Sequence, residues 1–239
     1  MKTLFVLALL LIGQAAPAAD TQTPQAFSGE VTLKVGYRYL LSLPDGYEKA
    51  ADKTWPLIVF LHGAGERGDD LELLKKHGPP KLLAAGKKFG AIIASLQCEP
   101  KQIWNPHGVK AVTDHLAATL RVDRDRIYLT GLSLGGFGTW ETAMEYPQTY
   151  AAIAPICGGA GVRWTMAERI KHLPAWIFHG DADKAVPVEN SNKIHDALKK
   201  VGAPVKLTIY PGVAHDSWTT TYDNPEFWEW LLAQKRAAP

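Results

Sequence analysis

The segment Leu57-Ile58-Val59-Phe60-Leu61 sets five apolar side chains in succession, leaving no position for a solvent-facing side. Side chains alternate across a strand, so an unbroken apolar run of this length predicts a strand buried on both faces. Similar runs recur at residues 91–94, 127–129, 151–154, 175–178 and 206–210. Between them the apolar period changes. Val109, Val112, Leu116 and Leu120 fall on one helical face, as do Ile194, Ala197, Leu198 and Val201, with Gly202 placed to stop the second helix. A last helix is expected over 225–234, with Phe227, Trp230 and Leu231 as its apolar stripe, and a shorter one over 166–172. Strand and helix alternate from 57 to 234, which predicts the α/β class: a mostly parallel central sheet with helices on both faces.

Residues 30–43 follow another rule. Val31, Leu33 and Val35 alternate with polar positions, as do Tyr37, Tyr39 and Leu41. These predict one or two strands with an exposed side, forming an antiparallel N-terminal edge of the sheet. Pro44-Asp45-Gly46 then makes a turn.

The start of the chain reads as a targeting segment. Lys2 supplies a positive charge, residues 4–12 a short apolar run, and Ala16-Pro17-Ala18-Ala19 the small residues that signal peptidase requires. The run is about half the roughly 20 residues a membrane-spanning helix needs. The expectation is a signal peptide at 1–19, export to the periplasm or beyond, and no stable membrane anchor. Residues 20–28 are expected to be a flexible lead-in, and 29–239 a single domain. Hydrophobic residues make up 46% and charged residues 21%, a globular balance that argues against disorder. The net charge is +2 with no long run of one sign, so no electrostatic footprint for nucleic acid is present. The pairs Lys75-Lys76, Lys87-Lys88 and Lys199-Lys200 read as solvated helix faces.

The chemistry concentrates at Gly131-Leu132-Ser133-Leu134-Gly135, directly after the 127–129 strand and before a glycine-containing helix start. A nucleophilic serine must stand exposed on a sharp strand-to-helix turn, and the flanking glycines let the chain make that turn without side-chain collisions. The pentapeptide alone is common; its strand–turn–helix setting makes it specific. Ser133 is therefore the expected nucleophile. It needs a base. Of eight histidines, His215 stands out because it follows the last strand and a glycine-containing turn. The base needs a carboxylate to fix its tautomer. Asp181 and Asp183, after the penultimate strand, both qualify. An oxyanion hole needs two backbone amides. Leu134, next after the nucleophile, supplies one, and Ala64 in His62-Gly63-Ala64-Gly65 is the expected second. Each such donor is typically worth about 3 kcal/mol of barrier.

These segments resemble the α/β-hydrolase superfamily, and more narrowly its predicted-peptidase, phospholipase/carboxylesterase and polysaccharide-esterase-like group. The likeness is carried by His62-Gly63-Ala64-Gly65-Glu66-Arg67-Gly68, the elbow through Trp140, Ala154-Pro155-Ile156-Cys157-Gly158-Gly159, His179-Gly180-x-x-Asp183-x-x-Val186-Pro187 and Ala214-His215-Asp216-Ser217-Trp218. It implies the α/β-hydrolase fold over roughly 30–234 and makes Asp183, rather than Asp181, the triad acid. Asp181 then reads as a turn-stabilising side chain. The strand order it implies puts three spacings, about 14 Å, between the strand ends at Cys98 and Cys157. A disulfide needs Cα atoms within about 7 Å, so two free thiols are expected.

No pair of histidines stands at metal-ligand spacing, and no metal or cofactor is expected. His62 and His179 read as hydrogen-bonded structural residues, and Glu66 and Arg67 as props of the oxyanion loop. Of the eight tryptophans, Trp104, Trp164 and Trp218 follow strands on the ligand-binding side and are candidates for stacking on a sugar or phenolic ring. Fewer than 20 residues separate Ile156 and Ala175, too few for a large lid. The resulting expectation is a serine carboxylesterase acting through an acyl-enzyme. Export, an open cleft and loop tryptophans point to acyl or feruloyl esters on polysaccharides. The same residues would serve a peptidase. An inactive binding protein on this fold is the third reading, disfavoured because every catalytic position is filled. Oligomeric state is not legible.

Overall fold

Every residue of β2 (Trp55–Leu61) is buried, yet its side chains divide. Leu57, Val59 and Leu61 enter one apolar cluster, Ile58 and Phe60 the other. The continuous apolar run is thus a period-two strand caught between two cores. The computed structural model describes residues 23–236, so the expected leader at 1–19 lies outside the described residues. The contacts divide the chain at Lys34/Val35 into two units. Residues 23–34 of the first are exposed and carry no regular secondary structure.

The second unit holds a seven-stranded sheet. Besides β2 it contains β1 (Arg38–Ser42), β3 (Ile92–Gln97), β4 (Val122–Leu132), β5 (Ala152–Ile156), β6 (Ala175–Gly180) and β7 (Val205–Tyr210). The order is β1-β3-β2-β4-β5-β6-β7. β1 runs antiparallel to β3, and all other neighbours are parallel. This is the α/β-hydrolase sheet with its antiparallel edge. One core lies under α2 (Pro106–Thr119), α3 (Leu134–Glu145) and α4 (Glu189–Lys200), which contribute Val109, Trp140 and Ile194. The other lies under α1 (Gly78–Ala84), α5 (Ser217–Asp223) and α6 (Pro225–Ala233), which contribute Leu83, Tyr222 and Phe227. A side chain the size of Phe227, with no exposed surface, contributes about 1.5–3 kcal/mol by leaving water. Among the described residues no helix is long and apolar enough to cross a membrane.

Three elements depart from expectation. Val31, Leu33 and Val35 alternate but form no strand; only Arg38–Ser42 pairs, and Val31 is 95% exposed. Alternation supplies a face, not a partner. The helix expected over 166–172 is instead a 3₁₀ segment at Gly161–Ile170, interrupted at Met166. Its buried residues Ala167 and Ile170 are three apart, matching the 3₁₀ period better than the α period. β4 starts five residues earlier than its apolar run, through Asp123, Arg124 and Asp125, beyond a register shift against β2.

The order also fixes where a site can form. From β2 the chain steps to β3 on one side, then returns to β4 on the other. The carboxyl ends of β2 and β4 therefore flank a topological switch point, where open α/β sheets leave a crevice. β2 and β4 also lie between β3 and β5, and Cys98 and Cys157 after those strands are free and buried.

Candidate active site

Ser133 leaves β4 with φ 52° and ψ −115°, a left-handed conformation that L residues avoid. The turn is held because Ser133 N–H donates to the Ile156 carbonyl at 2.9 Å and Phe137 N–H returns to the Ser133 carbonyl at 3.1 Å. Gly135 is required: a Cβ there would stand 1.9 Å from the Leu61 carbonyl oxygen. Helix α3 can start so close to β2 only with that position bare. Ser133 itself is half-buried at this turn.

His215 lies beyond β7, and Asp183 beyond β6. The loop bearing His215 crosses directly over Gly180, where a Cβ would meet the Val213 carbonyl oxygen at 2.0 Å. The structure brings the three side chains together. His215 Nε2 is 2.9 Å from Ser133 Oγ, and His215 Nδ1 is 2.6 Å from Asp183 Oδ2. A carboxylate only accepts, so Nδ1 carries the proton; the neutral ring then leaves Nε2 to accept from the Ser133 hydroxyl. Asp183 is buried, and its Oδ1 accepts the amides of Ala185 at 2.8 Å and Val186 at 2.9 Å. Burial alone would raise its pKa. The hydrogen bonds from His215, Val186 and Ala185 outweigh that and hold the carboxyl below the usual carboxylate range. Asp181 is exposed and accepts the Gly212 amide at 2.7 Å, bracing the turn before His215.

Leu134 is the first residue of α3, and Ala64 the first of a 3₁₀ turn at Ala64–Glu66. As first residues of their helices, their amides have no partner within those helices. The loop carrying Ala64 is tied down by charge. Glu66 is 5% exposed, and its Oε2 accepts the Gly63 amide at 3.0 Å. Arg67 Nε donates to the Ala64 carbonyl at 3.0 Å and Nη1 to the Gln102 carbonyl at 3.2 Å. His62 lies beneath: Nδ1 donates to the Gly63 carbonyl at 2.5 Å, and Nε2 accepts the Cys98 amide at 2.9 Å. Burial and, less strongly, the Arg67 charge push its pKa down to about 4, against the opposing pull of the Gly63 carbonyl. His179 is likewise structural, bonded to Ser191 at 2.7 Å and to the Val186 carbonyl at 2.8 Å.

The three tryptophans part company. Trp104 is buried, with its indole N–H on the His62 carbonyl at 3.1 Å and its ring against Tyr37 and His62. Only 3% of its surface is exposed, so it packs beneath the Ala64 loop and does no more than border a groove beside α3, short of the stacking role expected of it. Trp164 is half-buried under the Lys193 ammonium, 5.1 Å above its ring. Trp218 opens helix α5 rather than lying in a loop, and meets His215 edge to face at 5.2 Å. Its indole N–H donates to His77 Nδ1 at 3.3 Å, and His77 Nε2 stands 3.8 Å from Glu66. One buried carboxylate thus holds the Gly63 amide and stands near His77, whose ring meets the Trp218 indole beside His215. His77 carried no signal in the sequence; it lies between two short helical segments and 141 residues from Trp218.

Cys157, at φ 41°, lies below the triad. Its sulfur, Asp183 and His215 have ligand-type atoms within 4.8 Å of one another, a grouping that sequence spacing does not show. Burial pushes the Cys157 thiol up to about 12, which keeps it protonated and disfavours it as a metal ligand or nucleophile.

Residues 86–227, more than half of the chain, match the dienelactone hydrolase family. A thermostable esterase structure is 35% identical, covers 83% of this chain and 59% of its own, and superposes with a TM-score of 0.72. Two more distant structures share the fold alone. A ferulic acid esterase is 15% identical over 81% of this chain and 92% of its own, with a TM-score of 0.63. An acylaminoacyl peptidase of Pyrococcus horikoshii is 17% identical over 87% of this chain and 41% of its own, with a TM-score of 0.64. The chain spans between about a quarter and half the length of the first curated relatives it matches.

Proposed function

The chain belongs to the dienelactone hydrolase family, an esterase-type branch of the α/β-hydrolases, and we propose that it cleaves carboxylic esters through an acyl-enzyme on Ser133. The observation that carries this reading is the unbroken hydrogen-bonded line from Ser133 through His215 to Asp183. Ser133 Oγ attacks the ester carbonyl while His215 Nε2 takes its proton. The carbonyl oxygen, now anionic, accepts from the amides of Leu134 and Ala64. Asp183 stabilises the imidazolium. As the tetrahedral adduct collapses, His215 returns the proton to the leaving alkoxide. Water, deprotonated by the same imidazole, then releases the acid and restores the serine. Each proton movement uses a group of this chain, so the cycle calls for no cofactor.

The proposed natural substrates are acyl or feruloyl esters on polysaccharides, met after export to the periplasm or the outside. The leader-like residues 1–19 support the location, and the short connections around the crevice support access by a bulky chain. Of the tryptophans, Trp218 is proposed as an aromatic wall beside His215.

Turnover of p-nitrophenyl acetate, a feruloyl ester, an acyl thioester and a peptide amide, measured side by side, tests this. The ester reading expects the oxygen esters to lead. Faster cleavage of the amide would replace it with a peptidase.

A further inference from the structure

An apolar groove of about 460 Å³ begins at Leu134, the residue whose amide is assigned to the oxyanion. One wall is a face of α3. Leu134, Phe137 and Glu141 recur there every three to four residues, on the helix that Ser133 precedes. Seven residues of helix advance about 10 Å. The other wall is the segment after β3, with Ile103, Trp104 and Pro106. Ile103 is 70% exposed, one of the few large apolar side chains of the second unit open to water. At the far end the wall turns polar: Arg163 lies 2.5 Å from Glu141 and 3.3 Å from Glu145.

We propose that this groove is the acyl subsite, and that it selects an aromatic acyl group bearing a distal hydroxyl. The assignment rests on the ester reading above. Sheet order decides between acyl and alcohol. His215 and Asp183 reach Ser133 from β7 and β6, so the leaving oxygen, which must receive its proton from His215 Nε2, faces that side. The acyl group then points away from it, toward the loops after β2 and β3 and the start of α3. The volume lies within the roughly 300–1,000 Å³ that small-molecule sites occupy. Phe137, Pro106 and Ile103 give flat apolar contact suited to a ring. The Glu141–Arg163 pair offers both an acceptor and donors to a hydroxyl about two helical turns from the carbonyl, a position where a plain alkyl chain would only strip water from charged groups.

The test compares kcat/KM for methyl 4-hydroxycinnamate, methyl cinnamate and p-nitrophenyl acetate in the wild type, Ile103→Ser, Phe137→Ala and Arg163→Met. The proposal expects the hydroxycinnamate-to-acetate ratio to fall about tenfold in the first two variants. It expects the hydroxycinnamate-to-cinnamate ratio to fall about fivefold in Arg163→Met. Thermal melting of each variant separates a lost contact from a lost fold. Ratios equal to wild type in well-folded variants overturn the groove while leaving the ester reading standing. A wild type inert toward all three esters overturns the ester reading itself.

Discussion

The Gly63 amide is held at 3.0 Å by the Glu66 carboxylate. The Ala64 N–H belongs to the next peptide, whose carbonyl, that of Gly63, accepts from His62 Nδ1; the two bonds together fix the peptide planes leading to the amide proposed to face the substrate oxygen. Glu66→Ala leaves a buried N–H without its acceptor, at a cost of about 1–3 kcal/mol. The expected result is a lower melting temperature together with a kcat reduced about tenfold or more and a KM little changed. An unchanged kcat would remove Glu66 from any part in shaping the oxyanion loop. Trp218→Phe, which keeps the ring against His215 but loses the bond to His77, is expected to lower kcat less than Glu66→Ala does.

Asp183 and Asp181 make an internal control. Asp183 bonds His215, whereas Asp181 bonds only a turn amide. Asp183→Asn places an amide N–H or a weaker acceptor against Nδ1 and disturbs the tautomer, so kcat should fall by about 10⁴. Asp181→Asn should stay within about threefold of wild type, because an amide oxygen can still accept from Gly212. Equal losses in steady-state assays would mean the acid has been misassigned.

Buried His62 makes stability depend on pH. Its pKa is about 4 in the fold against an ordinary 6.5. Between those values the unfolded chain binds the extra proton, so stability rises with pH. The contribution is complete above pH 6.5 and is lost as pH falls toward 4, on the order of 3 kcal/mol in all. Urea unfolding across that window should show the decline, and His62→Gln should show a shallower slope. A slope identical in the two proteins would contradict a neutral, buried His62.

The elbow glycine gives a packing prediction. A methyl group on Gly135 would lie 1.9 Å from the Leu61 carbonyl. Backbone atoms cannot yield as side chains do, so Gly135→Ala should destabilise by several kcal/mol, about the cost of the larger core lesions, or fail to accumulate as folded protein. A variant that melts with the wild type would show that α3 and β2 do not pack as described.

Much of this was readable in the residues. β2 betrayed itself because both its faces are buried, and the elbow because few other arrangements need Gly131 and Gly135 around a serine. The order serine, aspartate, histidine followed from the strands preceding each, while the choice of Asp183 over Asp181 came only from the family resemblance. Other features had no local signature. Val31 to Val35 carry the right alternation but no pairing partner, and β4 begins among charged residues that only its neighbour's register reveals. Trp104 looked like a binding-site aromatic because position after a strand says nothing about which way an indole turns. The Glu66–His77–Trp218 line joins three separate loops and helix starts, so only the folded chain could show it.

The proposed reaction turns on Ser133 carrying the acyl group. Reaction with a fluorophosphonate, followed by proteolysis and mass spectrometry of the modified peptide, tests it most directly. One equivalent of label is expected on the Ser133 hydroxyl, with esterase activity lost in proportion. Label on another side chain, or full hydrolytic activity with Ser133 modified, would contradict it.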